Sequence, residues 1–452
     1  MTVTLLIVVC GTIFGAAAAV NMPALGGSSI QPSVFALAFL AARLAASRQL
    51  MSEKMNQALK DSLLFGLFAA YGVLSAFVFP RLFYHQVELP PTRIISTAIF
   101  AVAPLQPSSQ NITQATYLLG TFFVILATAF IARTERRPRL VMMTLIYLSW
   151  AHIAFGILDV LFSMLGLPFM DIVRNANYSV VDQHFGAFRR IQGTFAETSA
   201  YSAYGFVLLI FMTELWLRDV EGRLTGVTSL ALGVTLFMST SSSAYLGLGV
   251  YGLILAARIV YLPTPTAQRK GLILACFGIL AIAAILAICV AQPRIASEFG
   301  RMLTEMTVKK GESFSAIQRG FWTRKGWEAF TISNGLGVGV GSFRSSSLVS
   351  AVAGSMGVFG LATLGLFLAR ILPIQKLSSY QLDCDRTAAV GIAAAWAALV
   401  GLAPGMVSAT SPDPGVMFAF MAGLAMAWAP RGRYAAAQAA GLSPSAQAAG
   451  RS

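Results

Sequence analysis

Charge is scarce in this chain. Asp, Glu, Lys and Arg make up 11% of its 452 residues, against roughly 25% in soluble domains. A water-exposed fold of this length needs more polar surface than the sequence supplies, which excludes an ordinary soluble globule. Cysteine is rare as well. Cys10, Cys276, Cys289 and Cys384 show no paired spacing, which argues against a disulfide framework. Histidine is rarer still: His85, His152 and His184 form no ligand spacing, so no structural or catalytic metal site is indicated. Polar/apolar alternation is weak and Thr/Tyr-rich segments are few, which speaks against an outer-membrane barrel.

What is abundant is hydrocarbon. Hydrophobic residues make up 56% of the chain, and the mean hydropathy is +0.71. They come in blocks long enough to cross a bilayer, which takes about 17–25 residues in a helix. Backbone amides in hydrocarbon need internal partners, so such blocks read as helices. The expected fold is all-α and polytopic, with about twelve spans: Val3–Val20, Pro32–Ala46, Leu63–Phe79, Thr113–Ala132, Leu140–Leu165, Ala196–Leu217, Leu224–Met238, Ala244–Val260, Leu272–Val290, Leu348–Ile371, Thr387–Ala403 and Pro414–Ala429. The pair flanking Ser239–Ser243 reads as two short spans or one broken one. The first block lacks a basic leading segment, which favours a retained helix over a signal peptide. Residues 1–430 form one membrane domain, and the Ala-, Gly-, Ser- and Gln-rich stretch 431–452 reads as a disordered tail. No internal repeat points to inverted halves.

Orientation follows from Lys and Arg in the short connections. Basic residues follow every even-numbered span: Arg43, Arg48, Lys54 and Lys60; Arg133, Arg136, Arg137 and Arg139; Arg218 and Arg223; Arg258, Arg269 and Lys270; Arg370, Lys376 and Arg386; Arg431, Arg433 and Arg451. Both termini are therefore expected on the cytoplasmic side. The net charge of +14 is mostly topology and anionic cytoplasmic lipid, not a nucleic-acid signal. Two outer loops, about 166–195 and 291–347, carry cations that oppose this bias: Arg174, Arg189, Arg190, Arg294, Arg301, Lys309, Lys310, Arg319, Arg324, Lys325 and Arg344. These need another reason.

Three constellations supply one. In Arg189-Arg190-Ile191-Gln192-Gly193-Thr194-Phe195-Ala196-Glu197-Thr198, two guanidinium groups stand just before a helix start, with a carboxylate one turn into it. Arginine offers a planar fork that suits diphosphate oxygens, and a helix N-terminus favours anions. The same spacing also fits headgroup anchors with Glu197 as a dipole partner. In Gln318–Glu328, Arg319, Trp322 or Thr323, and Gly326 or Trp327 recur at helical spacing. This predicts an amphipathic helix on the outer surface. An interfacial anchor would explain its tryptophans, but not Glu328 among so many cations. In Gly335–Ser347, alternate glycines, Gly337, Gly339 and Gly341, free the backbone for close approach to a ligand or a helix, ahead of Arg344. The segment is not a P-loop, since no Gly-Lys-Ser/Thr follows.

In this order the three segments resemble the O-antigen ligase and polysaccharide polymerase superfamily of bacterial envelope proteins. The matches are Arg190 with Gly193 and Phe195, Arg319 with Trp327, then Gly337, Gly339 and Gly341; they span roughly Gln183 to Gly360. The resemblance implies a GT-C-like inner-membrane glycosyltransferase with a long periplasmic loop. It implies Arg189, Arg190, Arg301, Arg319 and Arg344 as diphosphate contacts, and Glu197 or Glu328 as the group that orients or deprotonates an acceptor hydroxyl. It further implies undecaprenyl diphosphate-linked oligosaccharide as substrate, contact with membrane lipids, a chain-length regulator as partner, and no cofactor. Two departures are present. Ser345, Ser346 and Ser347 stand where ligases carry a histidine, which favours polymerisation over ligase-type transfer. Ser242-Ser243 stands where many members have Ser-Arg, which removes a phosphate contact that Arg301 or Arg344 is placed to replace. The rival reading is a flippase or transporter of lipid-linked oligosaccharide. It would place ionisable groups mid-membrane, whereas here the polar chemistry collects in outer loops.

Overall fold

The structure is a computed structural model that describes residues 1–22, 28–47, 49–92, 100–167, 169–176, 184–185, 188–261, 265–292, 297, 300, 304, 314–372 and 386–429. Arg301, the loop cations Arg294, Lys309 and Lys310, and the tail 431–452 lie outside the described residues.

The described residues are mostly helical: α1 Thr2–Gly11, α2 Pro32–Ala45, α3 Glu53–Leu82, α4 Ser109–Glu135, α5 Pro138–Met164, α6 Phe169–Val173, α7 Thr198–Leu217, α8 Gly222–Met238, α9 Ser242–Tyr261, α10 Pro265–Ala291, α11 Phe314–Ile332, α12 Leu348–Ile371, α13 Arg386–Val400 and α14 Gly415–Trp428. Among the described residues, strand structure is limited to three short antiparallel hairpins, Val20–Met22 with Ser28–Ile30, Glu88–Leu89 with Ala103–Pro104, and His184–Phe185 with Phe188–Arg189. Each of the twelve apolar blocks overlaps a helix, the first only as far as Gly11, with Val20 already in a strand. Six described segments are long and apolar enough to cross a membrane, the last being α13 with its following turn, Arg386–Val407; α1, α2, α8 and α14 are shorter apolar helices. The protein is a helical, membrane-embedded one. Its core is a chain of packed helices: α12 on α3, α3 on α4, α4 on α14, α14 on α13, α13 on α7, and α7 against both α8 and α9.

Boundaries moved for local reasons. α1 ends at Gly11, where the backbone of Ser33 comes within 2.8 Å of where a Cβ would stand, so the helix stops against α2. α3 starts ten residues before its apolar block, because the Ser52 hydroxyl accepts from the Met55 N–H and caps it. Lys54 and Lys60 therefore lie on a helix, not in a loop. The serine run is a turn between two helices, with Tyr245 of α9 donating to the Phe237 carbonyl of α8 at 2.8 Å.

The helix ends sort into two layers. At one end the Met1 amine meets Glu135 at 2.7 Å, and Asp61 of α3 pairs with Arg133 of α4 and Arg370 of α12. The indole of Trp428 in α14 donates to the Ala132 carbonyl at 2.9 Å. At the same end buried Glu214 of α7 takes Arg218 and, from α9, Arg258, both at 2.6 Å. Lys270 of α10 pairs with Asp219 at 2.5 Å. At the other end lie the start of α4, the ends of α3 and α1, the α8–α9 turn, and the starts of α7 and α12. They are joined by Asn111 to the Val340 carbonyl, Arg190 to the Thr240 carbonyl, and the Ala16 N–H to the Thr194 carbonyl. Successive apolar helices thus run in alternate directions, and this second end carries the candidate site.

Candidate active site

The glycine turn is the floor of the site. Gly337, Gly339 and Gly341 have φ of 87°, 102° and 81°, a region that disfavours any side chain. A Cβ on Gly339 would stand 2.6 Å from the Ser75 carbonyl oxygen of α3, and one on Gly337 would stand 2.5 Å from Ser355 of α12. Gly341 lies as tightly against Gln110 and Asn111 of α4. The close approach is therefore to three helices, not to a ligand. The turn is pinned like a strand to the kinked part of α12: the Val338 and Gly339 N–H groups donate to the Gly354 and Ser355 carbonyls at 2.8 and 3.0 Å. The segment continues into Phe343, buried against Gly326 and Gly354, and delivers Arg344.

Arg344 meets the other two constellations. Its guanidinium lies 4.6 Å from the ring centre of Trp322 on α11, a cation–π contact, and 3.9 Å from a carboxylate oxygen of Glu197. Arg190 feels the charge of the same carboxylate and donates to the Thr240 carbonyl at 2.9 Å. Burial lowers the Arg190 guanidinium below its ordinary range, the charge of Arg319 lowers it further, and Glu197 opposes both. Arg344 is lowered by burial first, with Glu197 raising it and Arg319 lowering it. Arg319 thus lies within electrostatic reach of both Arg190 and Arg344, which share Glu197 as counter-charge, although Arg190 precedes the other two by more than a hundred residues in sequence. Arginine stays charged in proteins, so the local excess is two positive charges (three against one). Arg344 Nε is buried without a hydrogen-bond partner, a donor that native structures rarely leave unmatched.

Glu197 is the N-cap residue of α7 with extended backbone, not a residue one turn inside the helix. It makes no side-chain cap; its carboxylate is held by the Ser199 hydroxyl at 3.0 Å and remains about one-third exposed. Glu328 does not join. Nine residues beyond Arg319 at about 100° per residue, it points to the opposite face of α11, where it pairs with Lys325 at 2.9 Å. Arg189 lies on the strand Phe188–Arg189, and its side chain, like all of Arg301, falls outside the described residues. In place of the missing Ser-Arg pair, Ser241 and Ser243 share a hydrogen bond of 3.0 Å. Among the described residues no three His, Cys, Asp or Glu side chains gather as metal ligands.

One pair escaped the reading of the sequence. Asp159 of α5 and Arg174, both buried, form an ion pair beneath the loop that carries Arg190. Asp159 accepts from the N–H groups of Gln192 and Gly193 at 2.9 and 3.0 Å, and Arg174 Nε donates to the Gly193 carbonyl at 2.9 Å. The cation that opposed the charge bias at Arg174 is thus an internal counter-ion. Its position against the bias was the signal; its partner, fifteen residues away on another element, had none.

No family model, curated protein or solved structure matches the chain.

Proposed function

We propose that the chain is an inner-membrane glycosyltransferase that polymerises oligosaccharide repeat units carried on undecaprenyl diphosphate, acting at the periplasmic face with both termini cytoplasmic and twelve spans. The observation that carries this reading is the clustering of Arg190, Arg319 and Arg344, with Glu197 at the start of α7 as counter-charge to Arg190 and Arg344. A diphosphate is what such a site suits: two or more negative charges, planar oxygens for guanidinium forks, and a helix N-terminus beside them. In the reaction, an acceptor sugar hydroxyl attacks the anomeric carbon and the carbon–oxygen bond to the diphosphate breaks. The bonding pair leaves with the lipid diphosphate, whose growing charge the arginines stabilise. The hydroxyl proton passes to Glu197, which replaces Glu328 as the general base because it alone faces the cluster.

The test is reconstitution in liposomes with a lipid diphosphate-linked repeat unit in excess chelator. A ladder of multiples is expected, since the leaving group is already an anion that guanidinium groups can meet. Transfer of a single unit to a different acceptor would favour ligase-type chemistry. Movement of the lipid across the bilayer without glycan growth would favour the flippase. Activity that vanishes in chelator and returns with a divalent ion would overturn the role given to the arginines.

A further inference from the structure

Next to the arginine cluster the outer half of the bundle holds a second space that this chemistry does not use. It is a chamber of about 400 Å³ between α1, α2, α7, α13 and α14, and it shares Phe195 and Leu348 with the segments that carry Glu197 and Arg344. Small residues, Ala397, Gly401 and Gly405, make the room, and its deeper wall includes Val207 and Phe418. Its volume is within the usual range of small-molecule sites, roughly 300–1,000 Å³.

The polar groups on the wall are mostly spent. The Thr12 and Tyr204 hydroxyls bond each other at 3.1 Å, and the Gln31 amide donates to the Gly15 carbonyl at 3.1 Å. A water in a cavity needs two to four polar partners, so these walls favour hydrocarbon. Asp413 is the exception. Its carboxyl accepts from the Gly415 N–H at 3.0 Å and from the Thr121 hydroxyl. No described Lys or Arg stands within ion-pair distance of it, in a chain with 32 basic and 18 acidic residues. Burial raises its carboxyl above the ordinary range, so the group keeps acceptor capacity in a wall that disfavours further negative charge.

We propose that this chamber binds the hydrocarbon chain of a single-chain amphiphile with an uncharged, hydroxylated head, and that the head donates a hydrogen bond to Asp413. The chain fills the space walled by alanine and glycine. A hydroxyl gives the carboxyl a donor without adding charge, whereas a phosphate head meets a second negative group with no cation to offset it. The two sites therefore divide the available ligands: anionic heads go to the arginines, neutral hydroxylated heads to Asp413. The assignment stands without the reaction proposed above.

The test is photolabelling of the full-length protein in nanodiscs with a monoacylglycerol that carries a diazirine on its acyl chain, followed by peptide mapping. Labelling within Ala397–Phe418 is expected. Unlabelled lysophosphatidate of the same chain length should compete roughly tenfold more weakly than unlabelled monoacylglycerol, and Asp413→Asn should erase that difference. Gly405→Leu should lose the labelling: a Cβ there meets nothing nearer than Ala409 at 3.8 Å, so the side chain fills the chamber instead of displacing backbone. Undiminished labelling in Gly405→Leu, or equal competition by the two lipids in the unmodified protein, would overturn the proposal. If Gly405→Leu fails to express, the competition arms decide alone, and labelling that neither lipid reduces would overturn it as well.

Discussion

Arginine and lysine carry the same charge but not the same geometry, and the outer site depends on the difference. Arg190 feels the charges of both Arg319 and Glu197, a setting where a fixed fork can grip diphosphate oxygens and a flexible ammonium cannot. If these residues only anchored loops at headgroups, lysine would replace them, since snorkelling needs only a long cationic chain. A lost charge-assisted contact of about 1.5–3 kcal/mol slows turnover roughly tenfold to a hundredfold. Arg190→Lys and Arg319→Lys should therefore insert normally and lose most polymer, measured as the glycan ladder, while Arg136→Lys at the opposite end is silent. Polymer at the unmodified level from both outer variants would return these arginines to an anchoring role. The two carboxylates separate in the same assay. Glu197→Gln is expected to abolish elongation. Glu328→Gln, on the far face of α11, should leave it intact; the reverse result would move the base to the other side of that helix.

Single elements show how much of this arrangement the sequence made legible. Apolar runs located the helices because burial in lipid demands long uninterrupted hydrocarbon, and the order of the arginine, basic-helix and glycine segments named most of the residues that meet. Their meeting was not legible. Arg344 reaches Glu197 only because the three glycines let its segment press on α3, α4 and α12, a tertiary fit with no local period. Glu328 was chosen for its charge company, although its helical phase relative to Arg319 already set it on the opposite face. Asp159 and Arg174 left no pattern either, yet they fix the loop between the strand Phe188–Arg189 and α7 with one ion pair and hydrogen bonds to the backbone of Gln192 and Gly193. Removing one partner strands a buried charge, at a cost of about 3–5 kcal/mol. Asp159→Asn and Arg174→Gln should each lower the melting temperature in detergent. The double variant should recover part of the loss, because no unpaired charge remains. A double variant as unstable as the sum of the singles would mean that the two side chains act independently.

At the scale of the whole molecule, two layers of helix ends make a claim about sidedness that can be checked without any substrate. One layer carries Arg133, Arg218, Arg258, Lys270, Arg370 and Arg386, with Asp61, Glu214 and Asp219 beside them. The acids do not weaken the inference, since orientation follows Lys and Arg near the membrane and carboxylates contribute little. The other layer has basic residues too, but there Arg174 is neutralised by Asp159, while Arg190, Arg319 and Arg344 gather into one cluster with Glu197 as counter-charge to Arg190 and Arg344. Cations gathered into a site are a different population from cations spread over short loops, and only the second kind should hold an end in the cytoplasm. Reporter fusions after Arg136 and Arg269 should accordingly read cytoplasmic, and a fusion after Lys310 should read periplasmic. The same set tests the parity of the span count. Four described apolar helices, α5, α7, α8 and α9, lie between Arg136 and Arg269, and the two reporters agree only if an even number of them cross. A single broken span in place of α8 and α9 would set them on opposite sides. A cytoplasmic signal after Lys310 would put the arginine cluster on the side where lipid-linked units are assembled, not polymerised. The reaction proposed here would then fail, while the Asp413 chamber, which rests on no reaction, would survive as an inner-face lipid site.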